Sequence, residues 1–256
     1  MPLNLHGKSG GTHMRIIIVR HGDPNYELDT LTKTGWREAE LAAEYLAKLR
    51  IKAFYVSPLG RAQDTAGCTL KKMNRTAETL DWLREFEAHI DRPDVKNEKS
   101  ICWDWLPQDW MADERFFQYD HWFENEAMQE GHVKEEYDRV IEEFDKLLVK
   151  HGYERKGHYY KVNEENNDTI IFFCHFGLEC VLLSHLLNIS PMVLWHGCVA
   201  APSSVTTLTT EERRQGIAAF RMSSFGDISH LYANNEPPAF AARFCEAYGN
   251  KDQRHD

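Results

Sequence analysis

The sequence predicts an α/β fold: a mostly parallel central sheet with helices on both faces, joined by an aromatic-rich helical insertion or cap. Three observations predict it. Residues 15–20 (RIIIVR) and 169–174 (TIIFFC) are short, nearly continuous apolar runs rich in β-branched and aromatic residues, the pattern of strands buried on both faces. Helical periods lie between such runs, and strands alternating with helices argue for a mostly parallel sheet. Each run also ends at a polar residue and a glycine or proline, where a loop begins.

The elements follow in chain order. Residues 1–13 (MPLNLHGKSGGTH) carry no apolar signal core and are read as a leader or disordered extension, with residues 14–256 as one domain. The strand at 15–20 delivers Arg20, His21 and Gly22 to a loop at the carboxyl end of a sheet, where open α/β sheets bind ligands. An imidazole beside a guanidinium suits phosphate: the ring can attack phosphorus while the planar fork holds two oxygens. Thr34 is a candidate cap for a helix over 35–49, in which Trp36, Ala39, Ala43, Leu46 and Leu49 recur at helical spacing. Residues 53–61 (AFYVSPLGR) read as a second strand that breaks at Ser57-Pro58, with Ser57 a plausible cap and Arg61 in the first turn of the next helix.

From about residue 88 to 162 no clear core strand is legible, and the stretch reads as an insertion or cap. Val133, Tyr137, Val140, Ile141, Phe144 and Leu148 mark a long amphipathic helix within it. Residues 103–123 hold eight aromatics, among them Trp103, Trp105, Trp110 and Trp122. Two roles are open to them: a lid lining the substrate entrance, or packing that pins the insertion to the body or to a second copy. The third strand, 169–174, runs into His175, Phe176 and Gly177, and a helix follows over 178–187. Residues 201–210 and 216–224 read as an antiparallel hairpin at the sheet edge, with Arg213 and Arg214 in its turn and Ser203 and Ser204 near the catalytic edge.

Composition narrows the function. A formal net charge of −10 over 256 residues argues against a nucleic-acid or anionic-membrane surface, while leaving room for a local cationic pocket with Arg20 and Arg61. The six cysteines (Cys68, Cys102, Cys174, Cys180, Cys198 and Cys245) show no paired spacing and read as reduced thiols of a cytoplasmic protein. There is no run of about 18 apolar residues for a membrane span. The thirteen histidines lack the grouped spacing of a metal site. His196 is read as satisfying a core hydrogen bond, and His230 as structural.

The RHG after a strand, the SPLGRAQDTA segment, Leu31-Thr32 followed by Gly35, and the later strand ending at His175 together resemble the histidine phosphatase superfamily, the phosphoglycerate mutase-like family. The match spans about residues 14–80 and 169–231. The resemblance implies that His21 is the nucleophile that becomes phosphohistidine and that Arg20, Arg61 and His175 complete the phosphate pocket. It also implies a carboxylate acid, for which LREFEAHI, shortly after the helix that follows Arg61, offers Glu85 and Glu87. In an extended segment both point to the same side. The family's pattern of a leucine, then the acid two residues later, then an apolar residue falls on Leu83, Glu85 and Phe86, and so favours Glu85.

The function expected from this resemblance is a phosphomonoester hydrolase acting on a small phosphorylated metabolite, needing no metal or organic cofactor. The alternatives are a phosphoglycerate-type mutase or a non-catalytic phospho-ligand-binding module. The longer mutase motif after RHG is replaced here by Asp23-Pro24-Asn25-Tyr26, which lowers the mutase reading.

Overall fold

The apolar runs of the sequence become the middle of a single eight-stranded sheet. The computed structural model describes residues 13–96, 98–239 and 249. The strands are β1 (Arg15–Arg20), β2 (Ala53–Val56), β3 (Glu78–Thr79), β4 (Tyr153–Lys156), β5 (Tyr159–Val162), β6 (Thr169–Cys174), β7 (Val205–Arg214) and β8 (Ile217–Asp227). Their spatial order is β3-β2-β6-β1-β7-β8-β5-β4. Neighbours within β3-β2-β6-β1 run parallel, and antiparallel pairing continues the sheet from β1 to β4.

Alternation along the central strands divides the core in two. Ile17 and Val19 of β1, with Ile171 and Phe173 of β6, pack under helices α1 (Lys33–Leu46) and α2 (Gly60–Met73). Ile16 and Ile18, with Ile170 and Phe172, face the other core, which contains α3 (Val133–Lys150) and α4 (Phe176–Leu187). Each of these fully buried side chains contributes roughly 1.5–3 kcal/mol. The α/β architecture expected from the sequence, with helices on both faces of a central sheet, is the one observed. α4 has no polar face because it is covered all round, which is why its period was less legible than that of α3.

Several local expectations are corrected. α1 is capped by Thr32, whose side chain accepts the Gly35 N–H, and not by Thr34; it ends at Leu46, and Trp36 is exposed. α2 begins at Gly60 behind Leu59 with no side-chain cap, because Ser57 is engaged elsewhere. The stretch 88–162 does hold strands: β4 and β5 extend the far edge of the sheet, β5 pairing with β8. YERK has three charges in four residues, and YYKV is only four residues long with no apolar run around it, so neither announces a strand. The hairpin β7–β8 lies inside the sheet between β1 and β5, and Glu211–Arg214 belong to β7; the turn falls at Gln215-Gly216, where Gly216 takes φ +77°.

Most of the aromatics between residues 103 and 123 are core. Trp105, Trp110, Phe116 and Trp122 are buried, while Phe117 is exposed and packs on Trp110. His196 fulfils its expected role: Nε2 accepts the Trp105 N–H and Nδ1 meets the Met192 carbonyl. Among the described residues no helix is long and apolar enough to cross a membrane. Five cysteines are free thiols; Cys245, like residues 1–12 of the expected leader, lies outside the described residues.

Candidate active site

β1 and β6 are parallel neighbours in register, Arg20 opposite Cys174, so both strands release their chains at the same level of the sheet. The next residue of each is a histidine. The His21 N–H donates to the Cys174 carbonyl at 3.0 Å, and the rings of His21 and His175 lie 5.2 Å apart, tilted by 55°. Two residues separated by more than 150 positions are thereby fixed as a pair by backbone pairing alone.

The loop after β1 is held against α1 by close backbone contact. A Cβ on Gly22 would lie 2.6 Å from the Gly35 carbonyl oxygen, and a Cβ on Gly35 would lie 2.2 Å from that of Asp23. Only glycines allow this approach. The Gly22 N–H donates to Thr65 Oγ1 of α2, so the histidine loop is tied to both helices on that face.

His21 is buried, and its Nδ1 lies 2.8 Å from the Gly22 carbonyl. A carbonyl only accepts, so Nδ1 carries the hydrogen and Nε2 keeps its lone pair. Burial, and then the Arg20 charge, push the ring's pKa well below the ordinary histidine value, so it is neutral at neutral pH. His175 Nε2 lies 2.8 Å from Ser57 Oγ, and that hydroxyl accepts the Leu59 N–H. Nδ1 of His175, on the other side of the ring, is buried without a partner among the described residues. Burial and the neighbouring His21 push His175 well down as well.

The two arginines are set differently. Arg20 is buried at the end of β1, its Nη1 donates to the Ala200 carbonyl, and its guanidinium lies 5.7 Å from the ring centre of Phe176. Arg61, in the first turn of α2, donates to Asp29 Oδ1 at 2.7 Å and lies 5.3 Å from the ring centre of Tyr26. Asp29 Oδ2 takes the Gly60 N–H at 2.6 Å, so one carboxylate fixes both the helix start and the arginine.

Glu85 and Glu87 part company in three dimensions. Glu85 is half-buried, and its Oε1 accepts the N–H groups of Phe86 at 2.8 Å and of Leu178, in the first turn of α4, at 3.0 Å. Burial raises its pKa above the ordinary carboxylate value, although those donors and the charges of Arg20 and Arg61 pull the other way. Glu87 is exposed.

Arg20, His21, Arg61, His175 and Glu85 are thus brought together, each within electrostatic reach of others in the set. Ser57 and Asp29 are positioning residues that sequence reasoning missed; Ser57 had been read as a cap, and Asp29 had no signal of its own. Ser203 lies at φ +61°, donates its N–H to the His21 carbonyl and turns its hydroxyl to His230, so it supports the loop from behind. The Ser204 hydroxyl is buried without a partner among the described residues.

A 2,3-bisphosphoglycerate-dependent phosphoglycerate mutase of Thermoplasma acidophilum is 38% identical over 79 residues, covering 27% of this chain and 40% of that protein. Among solved structures, a phosphoserine phosphatase mutant of Entamoeba histolytica in complex with phosphoserine is similar at 18% identity and TM-score 0.54, covering 85% of this chain and 99% of the other. Mycobacterial glucosyl-3-phosphoglycerate phosphatase is similar at 17% identity and TM-score 0.53, covering 84% and 99%. Bacillus stearothermophilus YhfR is similar at 19% identity and TM-score 0.53, covering 85% and 99%. These structures share the fold. The family model of the histidine phosphatase superfamily (branch 1) matches residues 6–222, a span that holds the paired histidines, both arginines and Glu85, and the chain belongs to that superfamily.

Proposed function

We propose that the protein is a phosphomonoester hydrolase working through a phosphohistidine at His21. The observation that carries this reading is the state of His21: neutral, with its Nδ1 hydrogen held by the Gly22 carbonyl and its Nε2 lone pair free beside Arg20. Nε2 attacks phosphorus and forms an N–P bond as the P–O bond to the leaving alcohol breaks. Arg20, Arg61 and the Nδ1 hydrogen of His175 face charge on the phosphoryl oxygens, where fixed donors contribute most to phosphoryl transfer. Glu85, which holds its proton above the ordinary carboxylate range, gives it to the departing alkoxide. The resulting carboxylate then takes a proton from water, whose oxygen attacks the phosphohistidine. The N–P bond breaks, phosphate leaves, and both His21 and Glu85 return to their starting states.

The test is rapid-quench labelling with an aryl phosphate. Wild-type protein should carry acid-labile, base-stable phosphate and release free phosphate. His21→Ala should do neither, and a fully active His21→Ala protein would sink the mechanism. Mutase activity is the second reading, favoured by the 79-residue match to a phosphoglycerate mutase. Isomerised phosphoglycerate in place of free phosphate would select it.

A further inference from the structure

Beside Glu85 opens a groove of about 540 Å³ between residues 84–88 and the start of α3. No Trp, Tyr or Phe lines it. Its charged lining is Arg84, Glu87, His132, Glu135, Glu136 and Arg139. Four of these are engaged with one another. Arg139 donates to both oxygens of Glu136, and His132 Nδ1 meets Glu135 at 3.1 Å. Arg84 and Glu87, which flank Glu85 in sequence, are both exposed and have no ion-pair partner among the described residues.

We propose that this groove holds the leaving alcohol and that the alcohol is zwitterionic, its carboxylate met by Arg84 and its ammonium by Glu87. The inference rests on the phosphatase reading, since Glu85 marks where the leaving oxygen sits only if it is the acid. Two unpaired opposite charges on either side of that acid match a group carrying one charge of each sign. Arg84 also lies close enough to the phosphate pocket for its charge to act on His175. A substrate bound with its phosphoryl group at His21 therefore extends towards Arg84 and Glu87, and the volume is ample for an amino-acid-sized group.

The experiment compares O-phosphoserine with its two halves, phosphoethanolamine (ammonium only) and 3-phosphoglycerate (carboxylate only). Arg84→Ala should lower kcat/KM for phosphoserine and phosphoglycerate relative to phosphoethanolamine by about tenfold, the lower end for one charge-assisted hydrogen bond. Glu87→Gln should lower phosphoserine and phosphoethanolamine relative to phosphoglycerate by a similar factor. Dissociation constants of the same ligands for His21→Ala protein, with and without each change, read recognition apart from turnover. Discrimination that neither substitution moves, in rate or in binding, overturns the inference even where His21-dependent hydrolysis is intact. Arg84- and Glu87-dependent binding without wild-type hydrolysis upholds the groove and overturns the hydrolase reading.

Discussion

Gly177→Ala tests the placement of Glu85, the proposed acid, more sharply than changing Glu85 itself. A Cβ at this position would lie 2.6 Å from Trp103 Nε1 and 2.8 Å from Glu85 Oε1. Ordinary contact requires a retreat of roughly half an ångström or more. Trp103 is buried and its Nε1–H donates to the Phe86 carbonyl, so the carboxylate is the easier group to displace. Glu85 Oε1 would then leave the two backbone donors, Phe86 and Leu178, that hold it. Alanine gains about 1 kcal/mol over glycine in a helix. Against this stand overpacking at about 1–3 kcal/mol and two hydrogen bonds to a charged acceptor at about 1.5–3 kcal/mol each when it is ionised. The unfavourable side wins, and stability should fall by about 3–8 kcal/mol, or roughly 6–32 °C in Tm for a domain of this size. A displaced acid should lower kcat by about 10²-fold on alkyl phosphates, within the usual range for general acid catalysis. An activated aryl phosphate, whose leaving group needs little protonation, should suffer much less. The assay is a pair of Michaelis curves, alkyl and aryl, with a thermal melt. Equal rates on both esters, at an unchanged Tm, would refute the reasoning that packing at Gly177 sets the carboxylate.

Two other outcomes are expected. Ser57→Ala leaves His175 Nε2 buried without its hydroxyl partner and unsettles which nitrogen carries the hydrogen, so inhibition by inorganic phosphate should weaken by roughly 5- to 150-fold, matching about 1–3 kcal/mol for an unsatisfied buried group; an unchanged inhibition constant would show that His175 does not reach the phosphoryl oxygens. Because Glu85 is raised and His21 lowered, kcat/KM should require the protonated acid and the neutral base, falling on the alkaline side as pH rises through the Glu85 pKa and on the acid side only below the ordinary histidine range; Glu85→Gln should remove the alkaline limb, and a limb that survives belongs to another group.

What the sequence made legible was whatever is encoded locally. RIIIVR and TIIFFC are apolar on both faces because both cores press on them, and the residues that follow are fixed by where those strands end. β4 and β5 escaped because an edge hairpin satisfies its backbone by pairing and leaves charged side chains such as Glu154 and Lys161 in the strand. Glu85 and Glu87 share a face in any extended chain; what separates them is the first turn of α4, more than 90 residues away, whose N–H reaches only Glu85. Ser57 before Pro58 carries the signature of a cap, and nothing nearby reveals that its partner is His175, 118 positions on. The aromatics of 103–123 gave composition without direction, since a core wall and a lid draw on the same residues.

The position of β6 between β2 and β1 has a consequence for how the chain is made. β1 and β2 never pair with each other; each pairs with β6, which is synthesised more than a hundred residues after β2. Until residues 169–174 leave the ribosome, two apolar strands wait with unpaired backbone edges facing an empty slot. At ordinary rates of synthesis that wait lasts roughly 6–24 s. Closing so long a loop also carries an entropic cost before any strand contact compensates it. His21 and His175 therefore meet late, and a nascent or truncated chain ending before residue 169 exposes a sticky gap where the two histidines would pair.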